Sequence, residues 1–183
     1  MSREPSRITT SSSARPLLAQ IAVRFPFLAD LAAAALLRLA PGMPLRRRVL
    51  KRAFSVVWSG INSGDFKFAL LAYETDAEVV LIGASGVGLA ESYSGSDGWT
   101  DFMDDIFENF GEPRFSVSRV RDGGSCVLAE LAFTATGKVS GARVEEITTS
   151  VYSFSSRGKI ARQEIFWHQG SWSAALEAAG MPE

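Results

Sequence analysis

The fold is decided by the stretch RVEEITTSVYSFSSRGKIARQEIFWH, which spans residues 143–168. Apolar side chains recur in it with a period of two, which is typical of β-strands rather than helices. Ser155-Ser156-Arg157-Gly158 divides the stretch and indicates a hairpin turn. We therefore expect two antiparallel strands, at about 143–155 and 159–168.

The same turn predicts which side chains share a face of the sheet. If it pairs Phe154 with Ile160, successive pairs lie on alternating faces because strands alternate with period two. The face that carries Phe154 then holds the pairs Tyr152/Arg162, Ser150/Glu164, Thr148/Phe166 and Glu146/His168. The opposite face holds Ile147, Thr149, Val151, Ala161, Gln163, Ile165 and Trp167.

Two more strand-like runs precede this hairpin, at about 114–122 and 125–136, and Asp122-Gly123-Gly124 marks the turn between them. Consecutive strands with short turns form an antiparallel meander. An earlier, shorter strand is predicted at about 78–82.

Apolar residues outside the meander recur at helical spacing. The predicted helices lie at about 26–39, 45–61, 65–72, 97–110 and 171–179. Helices followed by an antiparallel sheet define an α+β fold. We expect a cone-shaped, strongly curved antiparallel sheet packed on three main helices, with an extra N-terminal helix and an apolar pocket inside the cone.

Composition excludes several classes of function. The chain has 183 residues, a net charge of −1, one cysteine and one histidine. Cys126 can form no intrachain disulfide and is predicted to be a core residue, and no zinc site, other metal or cofactor is expected. The near-zero charge argues against a nucleic-acid partner. The local basic run Arg46-Arg47-Arg48 is interpreted as a solvated helix start.

The N-terminal part is predicted to be separate from the main domain. We divide the chain into a tail with an accessory helix, residues 1–44, and a domain, residues 45–183. Residues 17–40 are apolar, but Arg24, Pro26, Asp30 and Arg38 interrupt them, so a membrane span or signal peptide is not expected. A packing helix in a cytoplasmic protein is the preferred interpretation over membrane contact.

The order of several motifs resembles the SnoaL-like branch of the nuclear-transport-factor-like superfamily. The motifs are Trp58 followed by Asn62-Ser63-Gly64-Asp65-Phe66, then Tyr73–Val79, Tyr93–Gly98, Val151–Phe154 and Ala175–Gly180. The resemblance covers residues 45–180 and implies a cystatin-like α+β roll. The superfamily includes polyketide cyclases, ketosteroid isomerases, epoxide hydrolases, dehydratases and non-catalytic binding modules.

The resemblance implies that the face carrying Tyr152 and Phe154 is concave. Glu164 would then be a general base in an apolar pocket, with Tyr152 as hydrogen-bond donor and His168 as an assisting group. The alternative is that Glu164 forms a structural ion pair with Arg162 or Arg119. Where similar chains carry Asp near the end of the last strand, this chain has Trp167-His168-Gln169.

The remaining predicted site residues line the pocket rather than react in it. They are Trp58, Tyr73, Asp76, Trp99, Met103 and Phe154. Aromatic residues at helical spacing equally suit a packed core, and an Asp such as Asp76 often serves in a turn. The resemblance also implies a homodimer through the convex face of the sheet, with core packing as the alternative for the residues concerned, Ile147, Val151, Ile165 and Trp167.

Two functions stay open at this point. The first is a cofactor-free isomerase, cyclase or hydratase that acts on an apolar molecule bearing a carbonyl or an epoxide. The alternative is a non-catalytic module that binds a small apolar molecule or dimerises. The fold is compatible with both, because function depends on the site and not on the fold.

Overall fold

The computed structural model describes residues 39–84, 88–167 and 170–182. The predicted tail, nearly all of the predicted helix 26–39, and His168 lie outside these residues. The described residues form the helices α1 (Pro44–Asn62), α2 (Phe66–Leu70), α3 (Gly95–Asn109) and α4 (Ser171–Ala178). They form the strands β1 (Tyr73–Ile82), β2 (Ser92–Ser94), β3 (Phe110–Asp122), β4 (Cys126–Gly137), β5 (Arg143–Phe154) and β6 (Ile160–Phe166).

The six strands form one curved, open sheet in the order β2-β1-β6-β5-β4-β3. Three helices pack on it, so the predicted α+β architecture is confirmed. The sheet is mixed rather than wholly antiparallel, because β1 pairs with β6 in parallel. A parallel pair needs a long connection, and here α3 and the strands β3 to β5 separate the two partners along the chain.

The first strand is longer than the sequence pattern indicates. It begins at Tyr73 rather than near residue 78. Its pairing with β6 shifts between Tyr73 and Glu78, and Thr75 and Asp76 are exposed in this interval. The interruption hides the alternation on which a strand prediction depends.

The hairpin of β5 and β6 contains a bulge that changes the predicted register. Phe154 pairs with Ile160 as expected, but the next pair is Ser153 with Arg162, which leaves Ala161 as the extra residue. Beyond the bulge, Tyr152 pairs with Gln163 and Val151 with Glu164. The predicted pairs Tyr152/Arg162 and Ser150/Glu164 are therefore wrong. A slip of one residue moves each later side chain of β6 to the other face.

The concave face of the sheet and the helices α1 and α3 enclose one buried cluster, which we call the inner cluster. Its members include Leu50, Phe54, Trp58, Tyr73, Tyr93, Trp99, Phe102, Met103, Ile106, Phe110, Phe115, Leu131, Phe133, Tyr152, Ile165 and Trp167. On α3 these residues recur at three- and four-residue spacing, as an amphipathic helix requires. The inner cluster occupies the interior of the cone.

A second cluster lies on the convex face, where α4 covers the sheet. Leu128, Val151 and Phe166 of the strands pack there against Ala175 and Leu176 of α4. The hydroxyl groups of Thr149 and Ser171, 2.9 Å apart, add a buried hydrogen bond.

Core packing, the alternative to a dimer face, describes three of the four residues concerned. Val151 is covered by α4, and Ile165 and Trp167 belong to the inner cluster. Ile147 is exposed, with 53% of its surface accessible. The bulge explains why Ile165 faces the interior and not the convex side, because it turns the odd-numbered residues of β6 inward.

The basic run at the start of α1 is only partly solvated. Arg46 has 1% of its side chain accessible and forms an ion pair with Asp122, 2.8 Å from Nη2 to Oδ1. Its guanidinium also donates to the carbonyl oxygens of Leu39 and Gly124, each at 2.6 Å. The interpretation of the run as a solvated helix start is wrong for Arg46, which joins α1 to the turn between β3 and β4.

Candidate ligand-binding site

A buried polar group lies on the concave face, where β1, β5 and β6 meet. The Tyr73 hydroxyl donates to Gln163 Oε1 at 2.5 Å. The Gln163 amide nitrogen donates in turn to Ser150 Oγ at 3.1 Å and to the Tyr152 hydroxyl oxygen at 3.3 Å. All four side chains are buried. The group therefore connects three strands inside an otherwise apolar interior, where each hydrogen bond is strengthened by the low dielectric constant.

Two indoles complete this group from the helical side. Trp58 of α1 lies beside the Tyr152 hydroxyl and Trp99 of α3 beside the Tyr73 hydroxyl, and each indole lowers the pKa of the phenol that it faces. The rings of Tyr73 and Trp99 are 5.5 Å apart, centroid to centroid, and the ring of Phe54 lies 4.8 Å from that of Tyr152. The two phenols are thus held between the helices and the sheet.

Both phenols are neutral at physiological pH. Burial raises the pKa of Tyr73 well above its usual value, and the neighbouring Tyr152 raises it further, while the Trp99 hydrogen bond opposes the change. Burial likewise raises the pKa of Tyr152, against smaller opposing effects of hydrogen bonds from Ser150 and Trp58. Each hydroxyl therefore acts as a hydrogen-bond donor and not as a base.

The Tyr152 hydroxyl is the centre of this polar group. Its oxygen accepts from Gln163 Nε2, and Ser150 and Trp58 lie close enough to hydrogen-bond with it. Its own proton can be donated to Ser150 Oγ or to a ligand oxygen, because a phenol has one donor and two acceptor sites. A ligand oxygen that received this proton would be stabilised, since a hydrogen bond is strengthened in a buried, apolar surrounding.

Four of the predicted pocket residues lie together in the inner cluster. Trp58, Tyr73, Trp99 and Met103 are all buried there. Phe154 is partly buried and packs against the same cluster. Asp76 is exposed on β1, and the structure does not bring it to the group around Gln163. Whether these residues contact a ligand stays a prediction.

Glu164 does not lie on the concave face. It follows Gln163 on β6 and pairs with Val151, whose side chain lies under α4 on the convex side. Its carboxylate is 3.3 Å from Arg162, and its side chain is 25% accessible. Arg162 also forms an ion pair with Glu78 of the adjacent β1. The predicted base placement is thus wrong because of the bulge, and the ion-pair alternative with Arg162 describes the observed contact.

The other ion pair predicted for Glu164, with Arg119, is not observed. Arg119 pairs with Glu130, 2.5 Å from Nη2 to Oε2, and not with Glu164. His168 lies outside the described residues, so its pairing with Glu146 stays a prediction. Glu146 itself is half-buried and lies opposite Phe133 on β4.

Sequence reasoning missed Gln163 and Ser150. Gln163 was expected on the convex face, and an amide carries no charge that would attract attention as a catalytic group. The residues around Ala161 contain no glycine or proline that would indicate a bulge. Only the packing of Tyr152 and Ile165 against the helices identifies the inward face of β6.

Within residues 39–84, 88–167 and 170–182, no group of three or more His, Cys, Asp or Glu side chains could hold a metal ion. The same residues include no helix that is long and apolar enough to cross a membrane.

An ionic contact anchors β1 next to the buried polar group. Glu74 follows Tyr73 and accepts a hydrogen bond from Ser155 Oγ at 2.5 Å. Arg157 binds the same carboxylate through Nε at 3.0 Å and Nη2 at 2.7 Å. The hydrogen bond from Ser155, together with Arg157, lowers the pKa of Glu74. The contact ties the start of β1 to the turn between β5 and β6.

Glu74→Gln is expected to destabilise the protein by about 1–2 kcal/mol at neutral pH, because it removes charge-assisted hydrogen bonds. The folded-state pKa of Glu74 is lowered, so its contribution is complete above the unfolded value of 4.5 and is lost as the pH falls through the folded value. The difference between the natural protein and the variant should therefore shrink below about pH 4.5. Urea unfolding at a series of pH values measures it. Glu145→Gln, which alters an exposed pair with Arg143, is the control; an equal pH-dependent loss there would contradict the explanation.

Comparison with known proteins identifies the family. The profile of the SnoaL-like domain matches residues 53–163, which is more than half of the chain. The matched segment begins in α1 and ends in β6, so it includes the helices and strands that form the inner cluster. The chain belongs to the SnoaL-like domain family. No curated protein is significantly similar to it.

Solved structures share the fold at low sequence identity. TerC, co-crystallised with polyporic acid, is 18% identical, with 66% of this chain and 92% of that chain covered and a TM-score of 0.55. SalBIII, described as an epoxide hydrolase/cyclase-like enzyme in pyran ring formation in the polyether salinomycin, is 16% identical, with 70% and 95% covered and a TM-score of 0.54. A putative SnoaL-like polyketide cyclase from Jannaschia sp. CCS1 is 16% identical, with 72% and 90% covered and a TM-score of 0.54. At these identities the likeness establishes the fold alone.

Proposed function

We propose that this protein binds a small, largely apolar molecule inside the cone and holds a carbonyl or epoxide oxygen of that molecule with the Tyr152 hydroxyl. The observation that carries the proposal is the Tyr152 hydroxyl itself, a buried hydrogen-bonding group inside an otherwise apolar cluster. Family membership and the cyclase-like and epoxide-hydrolase-like neighbours support a small molecule of this kind.

The reaction class that fits this site is cofactor-free isomerisation, cyclisation or hydration. In each, charge develops on an oxygen, and a fixed donor in a dry site stabilises that charge strongly. Tyr152 supplies such a donor because Gln163, Ser150 and Trp58 hold its oxygen in place. The group that would accept a proton is not provided by Glu164, which lies on the convex face. His168 stays a prediction for that role.

The test uses two probes that differ only in the oxygen. We expect 2-acetylnaphthalene to bind more tightly than 2-ethylnaphthalene, and Tyr152→Phe to remove that preference, a loss of about tenfold for one hydrogen bond. Quenching of tryptophan fluorescence measures the binding, because Trp58, Trp99 and Trp167 lie in the inner cluster. Tyr93→Phe is the matched control, since the Tyr93 hydroxyl binds Asp105 at 2.6 Å outside the group around Gln163. An equal affinity for both probes would refute the proposed role of Tyr152.

A non-catalytic module is the second candidate, and one observation favours it. Aromatic rings follow one another through the interior: Trp58 to Phe115 at 4.7 Å, Phe115 to Phe133 at 5.0 Å, and Phe133 to Trp167 at 5.3 Å. Rings in mutual contact favour a packed scaffold over an open reaction chamber. Failure of both naphthalene probes to bind, together with mass spectrometry that finds no co-purified small molecule, would support this candidate.

Two further predictions, the domain division and the homodimer, remain predictions. The division between residues 44 and 45 stays a proposal, although α1 begins at Pro44. Homodimerisation also stays a proposal; Val151, Ile165 and Trp167 are buried and do not contribute to its interface, whereas Ile147 is exposed. Sedimentation at micromolar concentration would test the dimer.

A further inference from the structure

A cavity of about 610 Å³ lies on the convex side of the sheet, away from the inner cluster. It is formed where α4 passes the end of β3 and the start of α1, and we call it the outer pocket. Its principal walls are Arg47, Arg119, Arg121, Trp172 and Leu176. The volume falls within the range of small-molecule sites.

The walls of the outer pocket are positively charged. Three of the lining residues are arginines, and Arg47 and Arg121 have no ion-pair partner within the described part of the chain. The lining includes one carboxylate, Asp122, which already binds other groups. Its Oδ1 binds Arg46 and the Gly124 amide, and its Oδ2 accepts from the Gly42 amide. Asp122 therefore does not neutralise Arg47 or Arg121.

The third arginine, Arg119, lies over the ring of Trp172. The guanidinium carbon of Arg119 lies 3.6 Å from the centroid of the Trp172 ring. Glu130 binds the Arg119 Nη2 at 2.5 Å and so holds the guanidinium over the ring. The Trp172 ring offers an aromatic surface to a ligand, and Leu176 adds an apolar wall.

We propose that the outer pocket binds a small organic anion in which a carboxylate is attached to a planar apolar body. Arg47 and Arg121 would bind the carboxylate, because a guanidinium matches its two oxygens. Trp172 and Leu176 would contact the apolar body. The site is separate from the Tyr152 site, and it does not depend on the function proposed above.

The test compares 2-naphthoate with 2-naphthylmethanol and inorganic phosphate, using calorimetry on the full chain. We expect 2-naphthoate to bind at least about tenfold more tightly than either, since only it has both the charge and the ring. Arg47→Gln/Arg121→Gln should reduce its affinity by about tenfold or more, whereas Arg48→Gln, one residue from Arg47 and outside the pocket lining, should not. Tyr152→Phe should leave the affinity unchanged, which separates this site from the interior.

Three outcomes would overturn the proposal. Equal affinity for 2-naphthoate and 2-naphthylmethanol would show that the arginines contribute nothing. Phosphate binding as tight as that of 2-naphthoate would show that charge alone attracts the ligand. An equal loss in Arg48→Gln and in the double variant would show a general effect of surface charge rather than a site.

Discussion

Arg46→Ala is expected to lower the free energy of unfolding by about 3–5 kcal/mol, because it leaves a buried carboxylate without its partner. Arg46 and Asp122 have only 1% and 2% of their side chains accessible, so water screens their attraction little. The substitution also removes the hydrogen bonds to the carbonyl oxygens of Leu39 and Gly124. Urea unfolding followed by circular dichroism measures the loss.

The charge itself can be separated from the packing by a double variant. Arg46→Met/Asp122→Asn should be more stable than Arg46→Met alone, because the second change removes the unpaired buried charge. Arg48→Ala is the control; this exposed residue on the same helix should change stability by no more than about 0.5 kcal/mol. If the two single losses simply add in the double variant, the ion pair is not the cause.

Phe133→Ala is expected to lower the free energy of unfolding by about 3–5 kcal/mol, because it removes a fully buried ring and leaves a cavity. Phe133 is the centre of the aromatic packing inside the cone. Its ring centroid lies 5.2 Å from that of Phe110, 5.0 Å from that of Phe115 and 5.3 Å from that of Trp167. The same unfolding measurement determines the loss.

The cavity gives this prediction a second readout. An apolar cavity stays dry and binds small aromatic molecules, so benzene should raise the melting temperature of Phe133→Ala but not that of the natural protein. Ile147→Ala, at an exposed position on β5, should have little effect on stability. A loss of less than about 1 kcal/mol in Phe133→Ala would contradict the description of the interior as a packed cluster.

The helices and strands were predicted accurately where their buried residues recur at regular spacing. The predicted helix 45–61 corresponds to Pro44–Asn62, and the predicted strand 143–155 corresponds to Arg143–Phe154. Turn residues such as Asp122-Gly123-Gly124 delimit the strands by local chemistry alone. The apolar spacing on α3 likewise indicated that Trp99 and Met103 face the interior, where both are buried.

Less of the candidate site could be predicted from the sequence. Because of the bulge at Ala161, Gln163 rather than Glu164 lies on the concave face. The buried polar group therefore contains a neutral amide where a charged base was expected. Arg46 was assigned to solvent because its neighbours Arg47 and Arg48 are charged as well. Its true environment depends on Asp122, which is distant in the chain.

The sequence by itself determined the α+β class, the position of most helices and strands, and the apolar character of the cone. These follow from periodicity and turn chemistry, which act over a few neighbouring residues. Only the tertiary structure decided that β1 joins β6 in parallel, that α4 covers the convex face, and that Gln163 rather than Glu164 faces the inner cluster. The register of β6 is selected by packing against distant helices, and a one-residue slip leaves no trace in the local pattern.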